Sequence, residues 1–544
     1  MVMLIQDFTS KTKELIDDLK GICANYGLGN DGNEYKIITQ AFLYKFMNDK
    51  FGYEVKQLDP NLNRAEKWEQ EIAQYTEAQY EMLLLRLHPD SARLKREHYL
   101  SYLYQNQNRE EFAKLFDDTL RDIAITNNDI FSVKTGSGAR VILFDELSNY
   151  ITDSSRRDTF CRAIVNALVR LSFEGIYEQK FDFFATIFEY LIKDYNKDGG
   201  GKYAEYYTPH AVAKIMAAIL IDKPVQNVTA YDPAAGSGSL LMSLAHQIGE
   251  DRCTLYTQDI SQKSSSLLRL NLILNNLVHS IQNVIQGNTL LNPYHRNGDQ
   301  LMTFDFVVSN PPFKLDFSDF RDDLDTKANH VRFFAGVPKI PKKEKDKMSI
   351  FLLFIQHIIF SLNPNGKAAI VVPTGFLTSK SGIEKKLLQK IVDGKMLRGV
   401  ISMPSNIFAT TGTNVSILFI DKTNIQGKIV LMDASKLGTT IKDGKNQKTR
   451  LTSDEENLII NTFNKHETIK DFSVVVSYEK IKEKNYSLNA GQYFDVKIEY
   501  TDLTLAEFDA KIDGFKRNLN TLFDESKALE KEIKKQLNEL KYDI

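Results

Sequence analysis

Cysteine is scarce in this 544-residue chain: there are three, Cys23, Cys161 and Cys253, far apart and odd in number. They form neither a disulfide framework nor the paired spacing of a zinc site, so no bound metal is expected. Long apolar runs are missing too. The longest, Ile350–Phe360, contains Gln356 and His357 and falls short of the roughly 18–20 residues a membrane span needs. The N-terminus lacks a signal-peptide core, because Asp7 and Lys11 interrupt it early. Nor does charge of one sign dominate. Lys+Arg 69 against Asp+Glu 71 leave a net −2, so no global basic field marks a nucleic-acid binder, although a local basic surface would still hold phosphates. Secreted, disulfide-stapled and membrane-spanning classes are set aside, and a cytoplasmic location is the expectation.

What is present is ordinary globular composition, 42% hydrophobic and 26% charged, in a chain long enough for several domains. Residues 1–155 read as a helical N-terminal domain. Glu34–Asp49 places Ile37, Ile38, Ala41, Phe42 and Phe46 on one helix face, and similar patterns run through Trp68–Leu85 and Glu110–Ile125. Residues 156–495 change rhythm. A helix over Phe181–Tyr195 leads into the loop Asn196–Lys202. Apolar runs at Val228–Tyr231, Thr254–Gln258, Asn283–Gln286, Phe304–Ser309, Lys367–Val372, Leu397–Met403 and Asn414–Ile420 then alternate with helical stretches such as Ser237–Ile248, Ser261–Leu277 and Met348–Leu362. Strands separated by helices predict an α/β, Rossmann-like doubly wound sheet. The last two runs suit an antiparallel edge. Between Phe313 and Met348 no core pattern shows, only polar sequence with the lysine-rich Pro338–Lys347. Residues 496–544 contain Leu505, Phe508, Ile512, Phe515, Leu519 and Leu522 at alternating spacings of three and four, then Leu529, Ile533, Leu537 and Leu540 one heptad on at spacings of four, four and three. That is a coiled-coil-type helix.

Chemistry concentrates at strand ends. In AYDPAAGSGSLL a strand ends at Asp232-Pro233-Ala234, and Gly236-Ser237-Gly238-Ser239 open a helix. Glycines there let backbone approach a ligand closely. The third glycine of a dinucleotide fingerprint is missing, which speaks against a pyrophosphate. Asp259 ends the next strand, placed to hold ribose hydroxyls. Asn288 follows the one after and can donate to and accept from an adenine edge. Three such ends in a row point to an adenosine cofactor without a pyrophosphate, S-adenosylmethionine. A fourth strand runs into Asn310-Pro311-Pro312-Phe313. Two prolines fix the turn and aim the amide beside the cofactor strands.

This order closely resembles the amino-methylating DNA methyltransferases that carry Asn-Pro-Pro-Phe. The resemblance implies that Asn310 and the Pro311 carbonyl accept hydrogen bonds from an exocyclic NH2, that Pro312 stiffens the turn, and that Phe313 stacks on an extruded base. It also implies that Glu205, Tyr206, Tyr207, Thr208, Pro209 and His210 (EYYTPH) form a further cofactor segment, with Tyr207-Thr208-Pro209 its core. Together with Asn363–Phe376 and Tyr486–Tyr493, the motifs narrow the likeness to the modification subunit of type I restriction–modification enzymes. It covers most of the chain and is weakest at about 50–150 and 435–480. Asp259 stands where that family often has Glu, and Asn288 where many adenine methyltransferases have Asp. The implied partners are double-stranded DNA, a specificity subunit and a second copy of this chain, with a nuclease–translocase subunit as a further partner such complexes admit. No membrane is implied. A protein-glutamine methyltransferase, or a silent scaffold that binds DNA or a partner, are the alternative readings.

Overall fold

The computed structural model describes residues 2–29, 32–177, 187–188, 190, 208–408, 414–443, 446–494 and 504–539. The expected helix at Phe181–Tyr195 and the loop Asn196–Lys202 lie almost entirely outside them. Residues 1–493 form one compact unit and 494–544 a second.

In chain order the strands are β1 (Val133–Thr135), β2 (Arg140–Val141), β3 (Val228–Asp232), β4 (Cys253–Asp259), β5 (Val284–Gln286), β6 (Arg296–Asn297), β7 (Gln300–Leu301), β8 (Phe304–Ser309), β9 (Leu362–Pro373), β10 (Leu397–Ser402), β11 (Val415–Asp421), β12 (Ile429–Asp433), β13 (Thr439–Asp443), β14 (Asn446–Arg450) and β15 (Ser473–Val476). Eleven make one sheet in the order β15-β12-β10-β11-β9-β8-β3-β4-β5-β1-β2, while β6–β7 and β13–β14 are separate ribbons. Strands β9, β8, β3, β4 and β5 run parallel. The chain leaves β3 towards β4 and β5, then returns to lay β8 on the other side of β3. That reversal is the topological switch point, where open α/β sheets bind ligands at the carboxyl ends of their strands.

The doubly wound expectation is met, with three differences. First, the β10–β11 pair is antiparallel but lies inside the sheet. Strand β11 fits between β9 and β10, and β12 and β15 extend the sheet beyond. Every residue of β11 is buried, as a strand covered on both faces must be. Second, the N-terminal region supplies β1 and β2, too short to produce a strand pattern. Third, the polar stretch after Phe313 has its own core. Phe317, Leu324, Phe333 and Val337 pack with Leu290, Met348, Ile350 and Leu353, and the Arg332 guanidinium donates to the Leu290 carbonyl at 2.5 Å. Single apolar residues spaced along 3-10 turns carry no helix or strand period, which is why this cluster was not visible.

The N-terminal helices and the sheet share one apolar core, from Leu15 to Phe463. A polar staple reinforces it. Arg269, on helix Gln262–Leu274, is buried and donates to the carbonyls of Val141 at 3.0 Å, Ile142 at 2.9 Å and Leu143 at 3.3 Å. Burial brings its guanidinium down to about 10. No helix among the described residues is long and apolar enough to cross a membrane. The second unit contains one helix, Leu505–Glu539, about 52 Å long at ~1.5 Å per residue. Leu505, Phe508, Phe515, Leu519, Leu522, Leu529, Ile533 and Leu537 on it are all exposed.

Replacing Arg269 with Met keeps length but leaves those carbonyls without a donor. The first urea transition should lose about 1–3 kcal/mol. Proteolysis should begin between residues 131 and 143. An unchanged midpoint would mean that the staple carries no net stability.

Candidate functional site

Strands β3, β4, β5 and β8 end at one edge of the sheet, and their turns are tied to each other. Asp232 closes β3 and is 1% exposed. Its Oδ1 accepts from the Ala234 amide at 2.9 Å and from the Ser309 hydroxyl at 3.0 Å. Ser309 is the last residue of β8 and directly precedes Asn310, so one hydrogen bond couples the glycine turn to the Asn-Pro-Pro-Phe turn. Asp259 closes β4. Its Oδ2 accepts from the Gly236 amide at 2.9 Å and its Oδ1 from the Ser261 amide at 2.8 Å. Its carbonyl takes the Gly287 amide at 2.8 Å. Thr289, one residue beyond Asn288, donates to the Pro233 carbonyl at 2.7 Å.

The glycine turn needs its glycines. Gly236 and Gly238 have φ of 52° and 84°, a region that favours glycine. A Cβ on Gly238 would also lie 2.2 Å from Leu268 Cδ1. Ser237 is buried, and its carbonyl accepts from Asn271 Nδ2 at 3.1 Å. Helix Ser239–Ile248 begins directly after. Each Asp259 oxygen uses one lone pair on backbone and keeps another for a ligand hydroxyl. Asn288 is narrower than its sequence suggests. Its Oδ1 accepts from the amides of Leu290 at 3.0 Å and Leu291 at 3.2 Å, so what it can offer a ligand is N–H donation.

On the other side of the switch point, Pro311 is buried while Asn310, Pro312 and Phe313 are half-buried. The Phe313 ring stands edge-on to Phe351, centroids 6.2 Å apart at 71°, and Phe351 in turn to Phe376 at 5.8 Å and 90°. Of the Thr-Pro segment, Glu205, Tyr206 and Tyr207 lie outside the described residues. Thr208 is buried, Pro209 caps helix His210–Leu220, and that helix packs on Ser239–Ile248. Among the described residues, no group of three or more His, Cys, Asp or Glu is placed to hold a metal ion.

Sequence reasoning passed over three residues. Ser309 is the coupling hydroxyl; its signal was a polar side chain closing an otherwise apolar run. Thr289 ties the β5 turn to the β3 turn. Ile260 follows Asp259 and is 64% exposed, an apolar side chain left in solvent at a strand end beside a carboxylate.

Two buried carboxylates with no cation beside them among the described residues are expensive. Burial pushes Asp232 from the usual 3.8 up to about 7; the Ala234 amide and Ser309 hydroxyl hold back part of the rise, and Asp259 adds to it. Burial likewise raises Asp259, against the Ser261 and Gly236 amides. The folded chain therefore keeps a proton on Asp232 that the unfolded chain releases near pH 4. This contribution to stability is complete below that pH and is lost as pH rises towards 7. Asp232→Asn keeps the acceptor oxygen and does not titrate. Its unfolding free energy relative to wild type should climb by about 1–3 kcal/mol between about pH 5 and about pH 7.5. A difference that stays flat with pH would contradict the assignment.

Known proteins resemble this chain in sequence and in fold. The profile of the family described as N-6 DNA Methylase matches residues 179–502, more than half the chain. The methylase subunit of the type I restriction enzyme MpnII from Mycoplasma pneumoniae is 28% identical over 391 residues, which cover 70% of this chain and 68% of that one. The methylase subunit of the type I enzyme HindI from Haemophilus influenzae is 24% identical over 445 residues, covering 79% and 93%. The fold is that of a type I restriction–modification methyltransferase subunit from Streptococcus thermophilus, with a TM-score of 0.70 at 23% identity over 89% of this chain and 100% of that one. With the Gly-rich turn and the Asn-Pro-Pro-Phe turn meeting at the switch point inside the matched span, the chain belongs to the N-6 DNA methylase family.

Proposed function

We propose that this chain methylates N6 of an adenine extruded from double-stranded DNA, with S-adenosylmethionine as methyl donor, as the modification subunit of a type I restriction–modification complex. The observation that carries this reading is the Ser309–Asp232 hydrogen bond. It joins a turn fit for an adenosine cofactor to a turn fit for a planar amine.

The residues present suit the cofactor. The left-handed glycines leave room for close approach, the Asp259 oxygens keep lone pairs for the ribose, Ile260 offers an apolar face to the adenine, and Asn288 donates to its edge. Thr208 and His210, with Glu205–Tyr207 before them, complete the cofactor segment. The cofactor supplies a sulfonium methyl, an electrophile whose sulfur leaves as a neutral thioether. The chain's own work is with the other partner. The N6 lone pair of adenine is delocalised into the ring. Asn310 and the Pro311 carbonyl accept its two hydrogens and favour a pyramidal nitrogen, which recovers that lone pair for attack. Phe313, steadied by Phe351, stacks on the base and offsets part of the few kcal/mol that extrusion costs. The methylated nitrogen then sheds a proton, with no strong base required beside Asn310. Catalysis is orientation and preorganised polarity.

Asn310→Ala should lower N6-methyladenine formation by about 10²–10³-fold, by analogy with other lost preorganised polar contacts, with cofactor affinity unchanged by calorimetry. Near-normal methylation would refute the role, and transfer to protein glutamine in place of DNA would move the enzyme to a different substrate.

The exposed stripe of helix Leu505–Glu539 supports assembly on a helical partner, which we assign to a specificity subunit. A second copy of the chain completes the complex. Removing residues 505–544 should leave a cofactor-binding chain that no longer co-elutes with the specificity subunit on size-exclusion chromatography. Intact assembly and unchanged site-specific methylation would show that the helix is not the assembly element.

A further inference from the structure

Ribbon β13–β14 belongs to no part of the site described so far, yet topology brings it there. Strands β8, β9, β10 and β12 are mutually parallel in direction across the sheet, so the segments after Ser309, Pro373, Ser402 and Asp433 all emerge at the edge that carries Asn310. The ribbon follows β12 and is fastened to the segment after β10. Thr449 donates its amide to the Asn406 carbonyl at 3.0 Å and its hydroxyl to the Ser405 carbonyl at 2.6 Å. Thr440 and Thr449 hydroxyls pair across it at 3.1 Å. Its foot is fixed, and its strands project from there.

The ribbon is rich in cations. Lys442 and Arg450 are exposed and Lys448 is half-buried, and exposed Lys436 precedes them. None of the four has an ion-pair partner among the described residues. Some cations elsewhere in the sheet domain are matched, Arg398 and Lys367 with Asp222 and Lys214 with Glu456. Asp443 lies on the ribbon itself and Asp454 is exposed beyond its end; Asp433 accepts from the Ser435 amide, and Glu455 from the Gly438 and Thr452 amides. Side chains alternate along a strand. The register pairs Lys442 with Gln447 and Ile441 with Lys448, so Lys442 lies on one face of the ribbon and Lys448 and Arg450 on the other. From β8 to β10 is three strand spacings, about 14 Å. That is some four nucleotides of ~3.4 Å from the Asn310 turn.

We infer that ribbon β13–β14 is a DNA-backbone contact that grips phosphates on the flank of the adenine, with Lys442, Lys448 and Arg450 as its cations. The inference rests on the proposed action on DNA and adds where this chain receives the duplex. Contacts of this kind position the duplex and carry no sequence information, which leaves sequence reading to another subunit.

The test uses the full-length chain in a methylation-competent preparation, a fluorescent duplex as probe, and a salt titration. In K442A/K448A/R450A the slope of log affinity against log salt should shrink by about 2–3, at close to one unit per lost phosphate contact. The half-saturating DNA concentration should rise about tenfold or more. Cofactor affinity and the rate at saturating DNA should stay within about twofold of wild type, because phosphate contacts here position and do not react. K442A/R450A, confined to the two exposed cations, should give an intermediate slope. K395A/K428A, two exposed cations at the opposite edge of the sheet, should match wild type. A triple variant with wild-type affinity and slope overturns the inference. So does an equal loss in the K395A/K428A control, or a loss of subunit assembly with DNA affinity intact, which would make the ribbon a protein contact. Wild-type chain that binds duplex with the expected slope but forms no N6-methyladenine would count against the proposed reaction and leave the ribbon's role standing.

Discussion

Two carboxylates buried without a cation set the shape of this site. Asp232 and Asp259 sit at the ends of adjacent parallel strands, where charge is costly to bury, and among the described residues the groups that compensate them are amides and one hydroxyl. Those donors come from Ala234, Gly236, Ser261 and Ser309. The glycine turn must therefore fold inward far enough to point amides at both acids, which puts Gly236 and Gly238 in the left-handed region. The same requirement draws the end of β8 against β3. The glycine turn and the Asn-Pro-Pro-Phe turn are thus held by one network of short polar contacts.

Around that network the rest of the molecule supplies rigidity. The Phe313–Phe351–Phe376 rings meet edge to face, an arrangement worth more than its buried area. The insertion after Phe313 is fixed by its own apolar cluster, so the turn is braced on the side away from the strands. On the far flank, Arg269 satisfies a bend of backbone that the sheet alone would leave open. The N-terminal helices and the sheet are joined through a shared core and act as one body.

Much of this was legible in the sequence, and what was missed follows a rule. The seven strands read from apolar runs all exist, and β11, whose residues are all buried, is the clearest case of a run of Val, Ile, Leu and Phe. Asn310–Phe313, Asp232, Asp259 and the glycines stood out as polar or special residues closing such runs. Strands β1 and β2 were invisible because two or three residues have no period. Ribbon β13–β14 reads as Thr and Lys, which is strand-like only once a neighbour pairs with it. Ser309 was masked by the more conspicuous amide beside it. Asn288 was read with both halves of its amide available, since no sequence pattern announces that Leu290 and Leu291 will claim the oxygen. Side-chain roles that depend on a partner distant in sequence are the ones a linear reading cannot supply.

Strand β11 has a consequence for the order in which the protein is built. It lies between β9 and β10 in the sheet but follows both in the chain. As the chain is synthesised, β10 emerges before the strand it must pair with, and its Leu397, Val400 and Ile401 wait unpaired until Asp421 has appeared. At about 5–20 residues per second that interval lasts about one to four seconds. Strands β12 and β15 dock only through β10, so that whole side of the sheet waits on one late strand. Until then a newly made chain presents the apolar edge of β10 to its neighbours.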